Sequence, residues 1–313
     1  MKCLETSYDR TETRMCGLVG FLYKTGFGPV GEVQVKMLDA LYRRGPDSTG
    51  IAIYGHPKES EYVLHARLHD AGDGYREGVV AAVKRLGGVK QVTAEGSDLR
   101  ARVVWPGDLG ELADSVEHAN GEVEVMSVGR AMEIIKDVGS ASDLDRRYRI
   151  SSLQASHAIG HTRMATESRV DVLHSHPFWA RPFADIAVVH NGHITNEHKL
   201  KRRLEMKGHR FYTGNDSEAI AVYIADKLEE GATLDDALRD SVRELDGTFA
   251  YLVSTDEGIG VARDPFATKP MLWAETDEFV VLASEEVAIR GAFPDVRLVP
   301  QELAAGEVRW WLP

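Results

Sequence analysis

The sequence is poor in cysteine, and it lacks both an excess of basic charge and an apolar run of membrane-spanning length. Cysteine occurs only at positions 3 and 16, and no CxxC pair is present. Because iron–sulfur clusters and thiolate zinc sites need several cysteines, this chain cannot hold either one alone. A free thiol suits a reducing compartment, and residues 1–15 lack the apolar core of a secretory signal. We therefore expect a cytoplasmic protein.

The charge balance narrows the functional classes further. The 313 residues carry 49 acidic and 37 basic side chains, which gives a net charge of −12. A protein that binds a phosphate backbone normally carries a basic excess, so we expect no nucleic-acid partner. Apolar residues make up 43 % of the chain, enough for the core of one large domain or two ordinary ones.

A short stretch near the N-terminus points to chemistry. Cys16 opens an apolar segment, Gly-Leu-Val-Gly-Phe, that predicts a strand. If the mature chain begins at Cys16, this residue carries both a thiol nucleophile and an α-amine with a reference pKa of about 7.7–8.0, which can serve as its base. Residues 1–15 are then a propeptide, or Met15 is the true start and is trimmed. Taken alone, this segment favours a buried structural cysteine, and the residues further along the chain reverse that preference.

Three polar clusters lie further along the chain, at the ends of predicted strands or at the start of a helix. Arg163 ends a predicted strand at 155–163, and its guanidinium could bind a carboxylate through two hydrogen bonds. Asn191 and Gly192 follow a strand at 185–190, and could donate hydrogen bonds to a developing oxyanion. Their simpler interpretations are a structural ion pair and a turn.

The third cluster, Asn-Asp-Ser-Glu at 215–218, opens a helix predicted over 216–229. The carboxylate of Asp216 could receive a substrate ammonium group. Alternatively, Asn215 or Asp216 only caps the helix, and Glu218 is favoured in its first turn by the helix dipole.

Five motifs in this order resemble the glutaminase domain of class II glutamine amidotransferases, which are N-terminal-nucleophile hydrolases. They are Met-Cys-Gly-Leu-Val-Gly at 15–20, Arg-Gly-Pro-Asp-Ser at 44–48, Gly-His-Thr-Arg at 160–163, His-Asn-Gly at 190–192 and Asn-Asp-Ser-Glu at 215–218. The resemblance covers most of the chain from Cys16 onward. It implies an α+β fold, a four-layer αββα sandwich of antiparallel sheets, over 16–313. Helix and strand signals alternate between about residues 56 and 150, and we expect this range to form a small α+β insertion.

The resemblance also implies the roles of the site residues. Cys16 would attack the side-chain amide of glutamine to form a thioester, and Asn191 and Gly192 would form the oxyanion hole. Arg163 would bind the α-carboxylate of glutamine, and Asp216 its α-amine. Supporting positions near the site are implied for the remaining motif residues Arg44, Asp47, His161 and His190. The products would be glutamate and ammonia.

The resemblance further suggests a subgroup and a partner. Met164 and Glu167 replace the Trp and His of many relatives, and the chain is here more similar to stand-alone subunits related to glutamate synthase, including that of N-methylglutamate synthase. Motifs at 263–265, 269–270 and 283–285 also fit that group. We expect no cofactor in this chain. The ammonia would go to a separate synthase subunit that carries flavin and iron–sulfur clusters, and we expect an oligomer.

Three alternatives remain open. Histidines at 157 and 161, 174 and 176, and 190 and 193 are spaced as zinc ligands can be, but no HExxH motif accompanies them. We therefore expect no metal site. The second alternative is an N-terminal-nucleophile hydrolase acting on another amide. The third is a non-catalytic subunit that retains the fold for assembly or regulation.

Overall fold

The computed structural model describes residues 16–69, 72–118, 123–164 and 172–313. The expected leader at 1–15 and Glu167 lie outside these residues. The strands are β1 (Gly17–Tyr23), β2 (Ser48–Tyr54), β3 (Tyr62–Leu68), β4 (Val89–Glu95), β5 (Asp98–Val103), β6 (Val123–Gly129), β7 (Met132–Val138), β8 (His157–Arg163), β9 (Phe178–Trp179), β10 (Ala187–Ile194), β11 (Gly247–Thr255), β12 (Gly258–Arg263), β13 (Leu272–Glu275), β14 (Phe279–Ala283), β15 (Gln301–Glu302) and β16 (Val308–Trp311).

Helices cover the outer faces of these strands. They are α1 (Val30–Ala40), α2 (Asp73–Arg85), α3 (Leu109–His118), α4 (Ala141–Tyr148), α5 (Glu197–Met206), α6 (Asp216–Glu229), α7 (Leu234–Glu244) and α8 (Glu286–Ala292), with a short 3₁₀ turn at Ile150–Ser152. Within the described ranges, no helix is both long and apolar enough to cross a membrane.

Two antiparallel sheets form the centre of the molecule. One has seven strands in the order β15-β13-β14-β1-β8-β2-β7, and the other has five in the order β16-β12-β11-β10-β9. Strand β1 is apolar at nearly every position because both of its faces are covered. Leu18 and Leu22 pack between the two sheets, whereas Val19 and Phe21 pack on the opposite face with α1 and α8. Successive side chains of a strand point to opposite faces, so a strand covered on both sides needs apolar residues at every position.

The outer layers complete the sandwich. Helices α1, α4 and α8 share a buried cluster with the seven-stranded sheet, and α5, α6 and α7 share another with the five-stranded sheet. The layers therefore run helix, sheet, sheet, helix, and the αββα sandwich predicted from the sequence is confirmed.

A smaller third sheet lies within the range expected for an insertion. Its order is β4-β5-β3-β6, it spans residues 62–129, and its apolar residues join the cluster between the two large sheets. Strand β7 also falls in the 56–150 range, but it pairs with β2 along the edge of the seven-stranded sheet. The sequence analysis did not anticipate β4 or β7.

The interior of the sandwich holds three histidines that the structure keeps neutral. His157, His161 and His176 expose only 0, 1 and 6 % of their surface. Burial lowers the pKa of His157 to about 4 and that of His161 to about 3, and it lowers the pKa of His176 well below its ordinary value. The ring of His157 stacks on Tyr54 at 4.2 Å and bonds to the Thr255 carbonyl oxygen at 2.8 Å.

These histidines predict a loss of stability in mild acid. Each has a lower pKa in the folded chain than in the unfolded chain, so the unfolded state binds protons first as the pH falls below about 6.5. Each should then reduce the free energy of unfolding by about 1.4 kcal/mol per pH unit between about pH 6 and 4.5. Urea unfolding of the intact protein and of His157→Gln across this range measures the slope. A slope that does not become shallower in the variant contradicts the assignment for His157.

Candidate active site

A cavity of about 360 Å³ opens at the start of β1, beside the ends of β8 and β10 and the start of α6. Seven of the nine residues singled out from the sequence line it: Cys16, Arg44, Arg163, His190, Asn191, Gly192 and Asp216. The other two, Asp47 and His161, do not line it. The backbone of Asp47 bonds to the Arg163 carbonyl oxygen at 3.1 Å, and His161 lies behind Asn191.

Strand pairing fixes the position of Cys16. β1 and β8 are antiparallel with Gly17 opposite Thr162, so Cys16 lies beside the residues that end β8. The Met164 N–H donates to Sγ of Cys16 at 3.3 Å. Burial raises the pKa of the Cys16 thiol, although the Met164 backbone and the charge of Arg163 act in the opposite direction. The thiol is therefore protonated near neutral pH, and it needs a base before it can act as a nucleophile.

Asn191 and Gly192 lie in β10 of the five-stranded sheet. They face the start of β1, which belongs to the seven-stranded sheet. The side-chain Nδ2 of Asn191 donates to the Cys16 carbonyl oxygen at 2.8 Å. Gly192 has a φ of 138°, and a Cβ atom there would lie 1.8 Å from the Thr248 carbonyl oxygen. Since a side chain would both strain this backbone and collide with β11, only glycine fits.

At the start of α6, Asn215 caps the helix, whereas Asp216 faces the cavity. Asn215 is the N-cap, and its Oδ1 accepts the Ser217 N–H at 2.8 Å. Glu218 accepts the N–H groups of Tyr212 and Thr213, both at 2.8 Å, and so holds the loop before the helix. The capping alternative therefore applies to Asn215, and Asp216 faces the cavity.

Asp216 is ionised. Burial alone would raise the pKa of its carboxyl group, but His190, the Ile194 backbone N–H and His193 together hold that pKa well below its usual value. Oδ2 of Asp216 accepts the Ile194 N–H at 2.9 Å, and Oδ1 lies 3.7 Å from Nδ1 of His190. A partly buried anion at this place suits a cationic group of a ligand.

Two arginines line the same cavity. Arg163 is 6 % exposed and ends β8, so its guanidinium is largely removed from water. Arg44 forms an ion pair with Glu285, and burial lowers its pKa. The buried Arg163 and the partly buried Asp216 therefore bring one charge of each sign to a cavity that also contains a thiol and a side-chain amide.

Histidines form the wall behind these groups. Nδ1 of His190 lies 3.0 Å from Oγ of Ser217, and the His190 N–H donates to Nδ1 of His176 at 3.3 Å. His161 stacks on His176 with ring centroids 4.0 Å apart. Across the described ranges, no three side chains of His, Cys, Asp or Glu are grouped as a metal-binding set.

Sequence reasoning missed two residues of the site, and it assigned no role to a third. His176 and Ser217 line the cavity, but His176 was noted only as a possible zinc ligand with His174, and Ser217 only as part of a helix start. Lys269 also lines the cavity and was noted only as a subgroup signature. A further signal for His176 was the apolar Pro-Phe-Trp that follows it, which is typical of a buried segment.

Comparisons with known proteins place these features in a family. A family model described as a glutamine amidotransferase domain matches residues 161–291. A putative glutamine amidotransferase of Methanothermobacter thermautotrophicus is 40 % identical over 94 % of this chain and 99 % of its own length. The glutamine amidotransferase-like protein GlxB of Rhizobium meliloti is 37 % identical over 90 % of this chain and 93 % of its own length.

Solved structures agree on the fold. A structure titled as the allosteric regulatory enzyme of purine biosynthesis superposes with a TM-score of 0.62 and 21 % identity, over 94 % of this chain and 46 % of the other. The glutamine phosphoribosylpyrophosphate amidotransferase of B. subtilis gives a TM-score of 0.59 at 22 % identity, over 94 % and 47 %. This chain thus spans slightly less than half the length of those two proteins, and it shares with them the class II amidotransferase fold.

The two long sequence matches extend over nearly the whole of each protein compared, so they concern the complete sandwich and its site. The chain belongs to the glutamine amidotransferase family.

Proposed function

We propose that this protein hydrolyses the side-chain amide of free L-glutamine and passes the ammonia to a separate synthase subunit. The observation that carries the proposal is that Cys16, Asn191, Arg163 and Asp216 line one cavity. Its volume of about 360 Å³ is at the small end of the range of about 300–1,000 Å³ for ligand pockets, which suits a single amino acid. The cation of Arg163 and the anion of Asp216 match the two charges of an amino-acid backbone.

The chemistry follows from the groups present. The Cys16 thiol adds to the side-chain carbonyl carbon, and the α-amine of Cys16, once it is the first residue, takes the thiol proton. Asn191 Nδ2 and the Gly192 N–H donate to the oxyanion. The proton then passes to the leaving nitrogen, ammonia departs, and a thioester remains. Water hydrolyses the thioester to glutamate and restores the thiol.

The raised pKa of the Cys16 thiol supports this use of the amine. Because burial keeps the thiol protonated, a base within reach is required, and the α-amine is attached to the same residue. An amide-bonded nitrogen cannot accept a proton. Activity therefore depends on removal, or absence, of residues 1–15.

For the domain organisation, we propose one glutaminase domain over 16–313, in which residues 62–129 form the insertion. For the ammonia acceptor, we propose a glutamate-synthase-like subunit that carries flavin and iron–sulfur clusters. The motif resemblance at 263–265 and 269–270 supports this choice of partner.

The α-amine can be tested separately from the thiol. Protein that begins at Cys16 should release glutamate and ammonia from glutamine. A form with one extra alanine before Cys16 keeps the thiol but blocks the amine, and Cys16→Ala keeps the amine but loses the thiol. Both should lose on the order of 10⁴-fold or more in kcat, since groups that act as a unit each cost nearly the full effect. Undiminished turnover by the alanine-extended form would refute the amine as base.

The role of Asp216 can be tested with a matched control. Asp216→Asn should raise the KM for glutamine by about 10- to 100-fold and change kcat less, because it removes a charged hydrogen bond to the substrate ammonium group. Asp235→Asn is the control, because Asp235 is also a first-turn carboxylate, in α7, and it pairs with Arg239. Glutaramate, which lacks the α-amine, should be a poor substrate for the wild type. If Asp216→Asn still prefers glutamine over glutaramate by the wild-type factor, Asp216 does not bind the ammonium group.

A further inference from the structure

The carboxamide of Asn191 is held at both of its ends. Its Nδ2 donates to the Cys16 carbonyl oxygen at 2.8 Å, and its Oδ1 lies 3.1 Å from Nε2 of His161. Rotating the amide by half a turn would set Oδ1 against the Cys16 carbonyl oxygen, which are two acceptors. Its observed orientation is therefore fixed by its neighbours. An amide nitrogen carries two hydrogens, so one serves Cys16 and the second remains for a substrate oxygen.

This contact determines the tautomer of His161. An amide oxygen only accepts hydrogen bonds, so Nε2 of His161 must carry the hydrogen. Nδ1 then holds the lone pair, and that atom is buried with no hydrogen-bond partner among the described residues. The opposite tautomer would place two acceptors face to face, Nε2 of His161 and Oδ1 of Asn191.

The surroundings keep the ring in place and uncharged. His161 is 1 % exposed and stacks on His176 at 4.0 Å, with 20° between the ring planes. Nδ1 of His176 accepts the His190 N–H at 3.3 Å, and this hydrogen bond fixes the orientation of the His176 ring. Burial, together with the positive charge of Arg163, lowers the pKa of His161 to about 3. Above that pH the ring remains neutral and keeps its donor.

We propose that His161 is a positioning residue for amide hydrolysis: its neutral Nε2–H tautomer holds the Asn191 carboxamide so that one amide hydrogen faces the oxyanion. The proposal rests on the proposed oxyanion role of Asn191. His161 itself does not line the cavity, so its whole effect on the reaction passes through Asn191.

A matched pair of variants tests this role. Glutamine at position 161 has an N–H donor at nearly the reach of Nε2, whereas methionine has the same length and no donor. Both remove the stack on His176, so the pair differs mainly in the donor. Loss of a whole oxyanion donor costs about 10²–10³ in kcat, so a misplaced one should cost about 10- to 100-fold. We expect that loss in His161→Met relative to His161→Gln, with KM unchanged within about threefold.

A double variant separates positioning from general structure. Added to Asn191→Ala, His161→Met should change kcat by less than about threefold, because the group that it positions is already gone. Equal kcat in His161→Met and His161→Gln would overturn the proposal. So would the full His161→Met loss on the Asn191→Ala background. Melting temperatures of all variants show whether each is folded.

The unmodified protein offers a second test that needs no variant to be active. Two-bond ¹H–¹⁵N correlation spectra of ¹⁵N-labelled protein report which ring nitrogen of each histidine is protonated, and His161→Gln assigns the signal. We expect hydrogen on Nε2 and a lone pair on Nδ1, unchanged between pH 8 and 5. Hydrogen on Nδ1 would overturn the proposal. If the wild type releases no glutamate, the proposed function fails instead, and the tautomer is still measured.

Discussion

The hydrogen bond from the Asn191 side chain to the Cys16 carbonyl joins the two central sheets at the active site. Asn191 belongs to the five-stranded sheet and Cys16 stands at the start of β1 in the seven-stranded sheet. The geometry of the proposed nucleophile and the proposed oxyanion donor therefore depends on how the two sheets lie against each other. A shift between the sheets would separate these groups even if each strand kept its own structure. The apolar packing between the sheets thus sets the geometry on which the proposed reaction depends.

Hydrogen bonds at the end of the sandwich away from Cys16 restrain a shift between the two sheets. The hydroxyl of Tyr54 bonds to the carbonyl oxygens of Asp185 and Ser254, at 3.1 and 2.9 Å. His157 in β8 bonds to the Thr255 carbonyl oxygen at the end of β11. These buried groups connect the same two sheets that meet at Cys16. The interface between the sheets is therefore apolar in its middle and hydrogen-bonded near both ends, which fixes its register.

The sequence identified the parts of the site that depend on local order along the chain. The apolar strands β1, β8 and β10 are readable from their composition, and Cys16, Arg163 and Asn191 stand at or near their ends. What could not be read is which groups meet across elements. His176 enters the site from a loop that carries no periodic pattern, and His161 lies behind Asn191 and does not line the cavity. The choice between Asn215 and Asp216 as N-cap required the actual backbone of α6. The strands β4 and β7 were missed because their sequences, VKQVTAE and MEIIKDV, show neither a continuous apolar run nor a regular alternation of apolar and polar residues.

The central claim is that Cys16 is an N-terminal nucleophile in a glutamine pocket. Intact mass before and after treatment with a diazoketone analogue of glutamine tests it most directly. The account predicts a starting mass without residues 1–15 and a single adduct that maps to Cys16, with glutamine slowing the labelling. A chain that begins at Cys16 and stays unlabelled, or carries its adduct elsewhere while it still releases glutamate, would contradict the account.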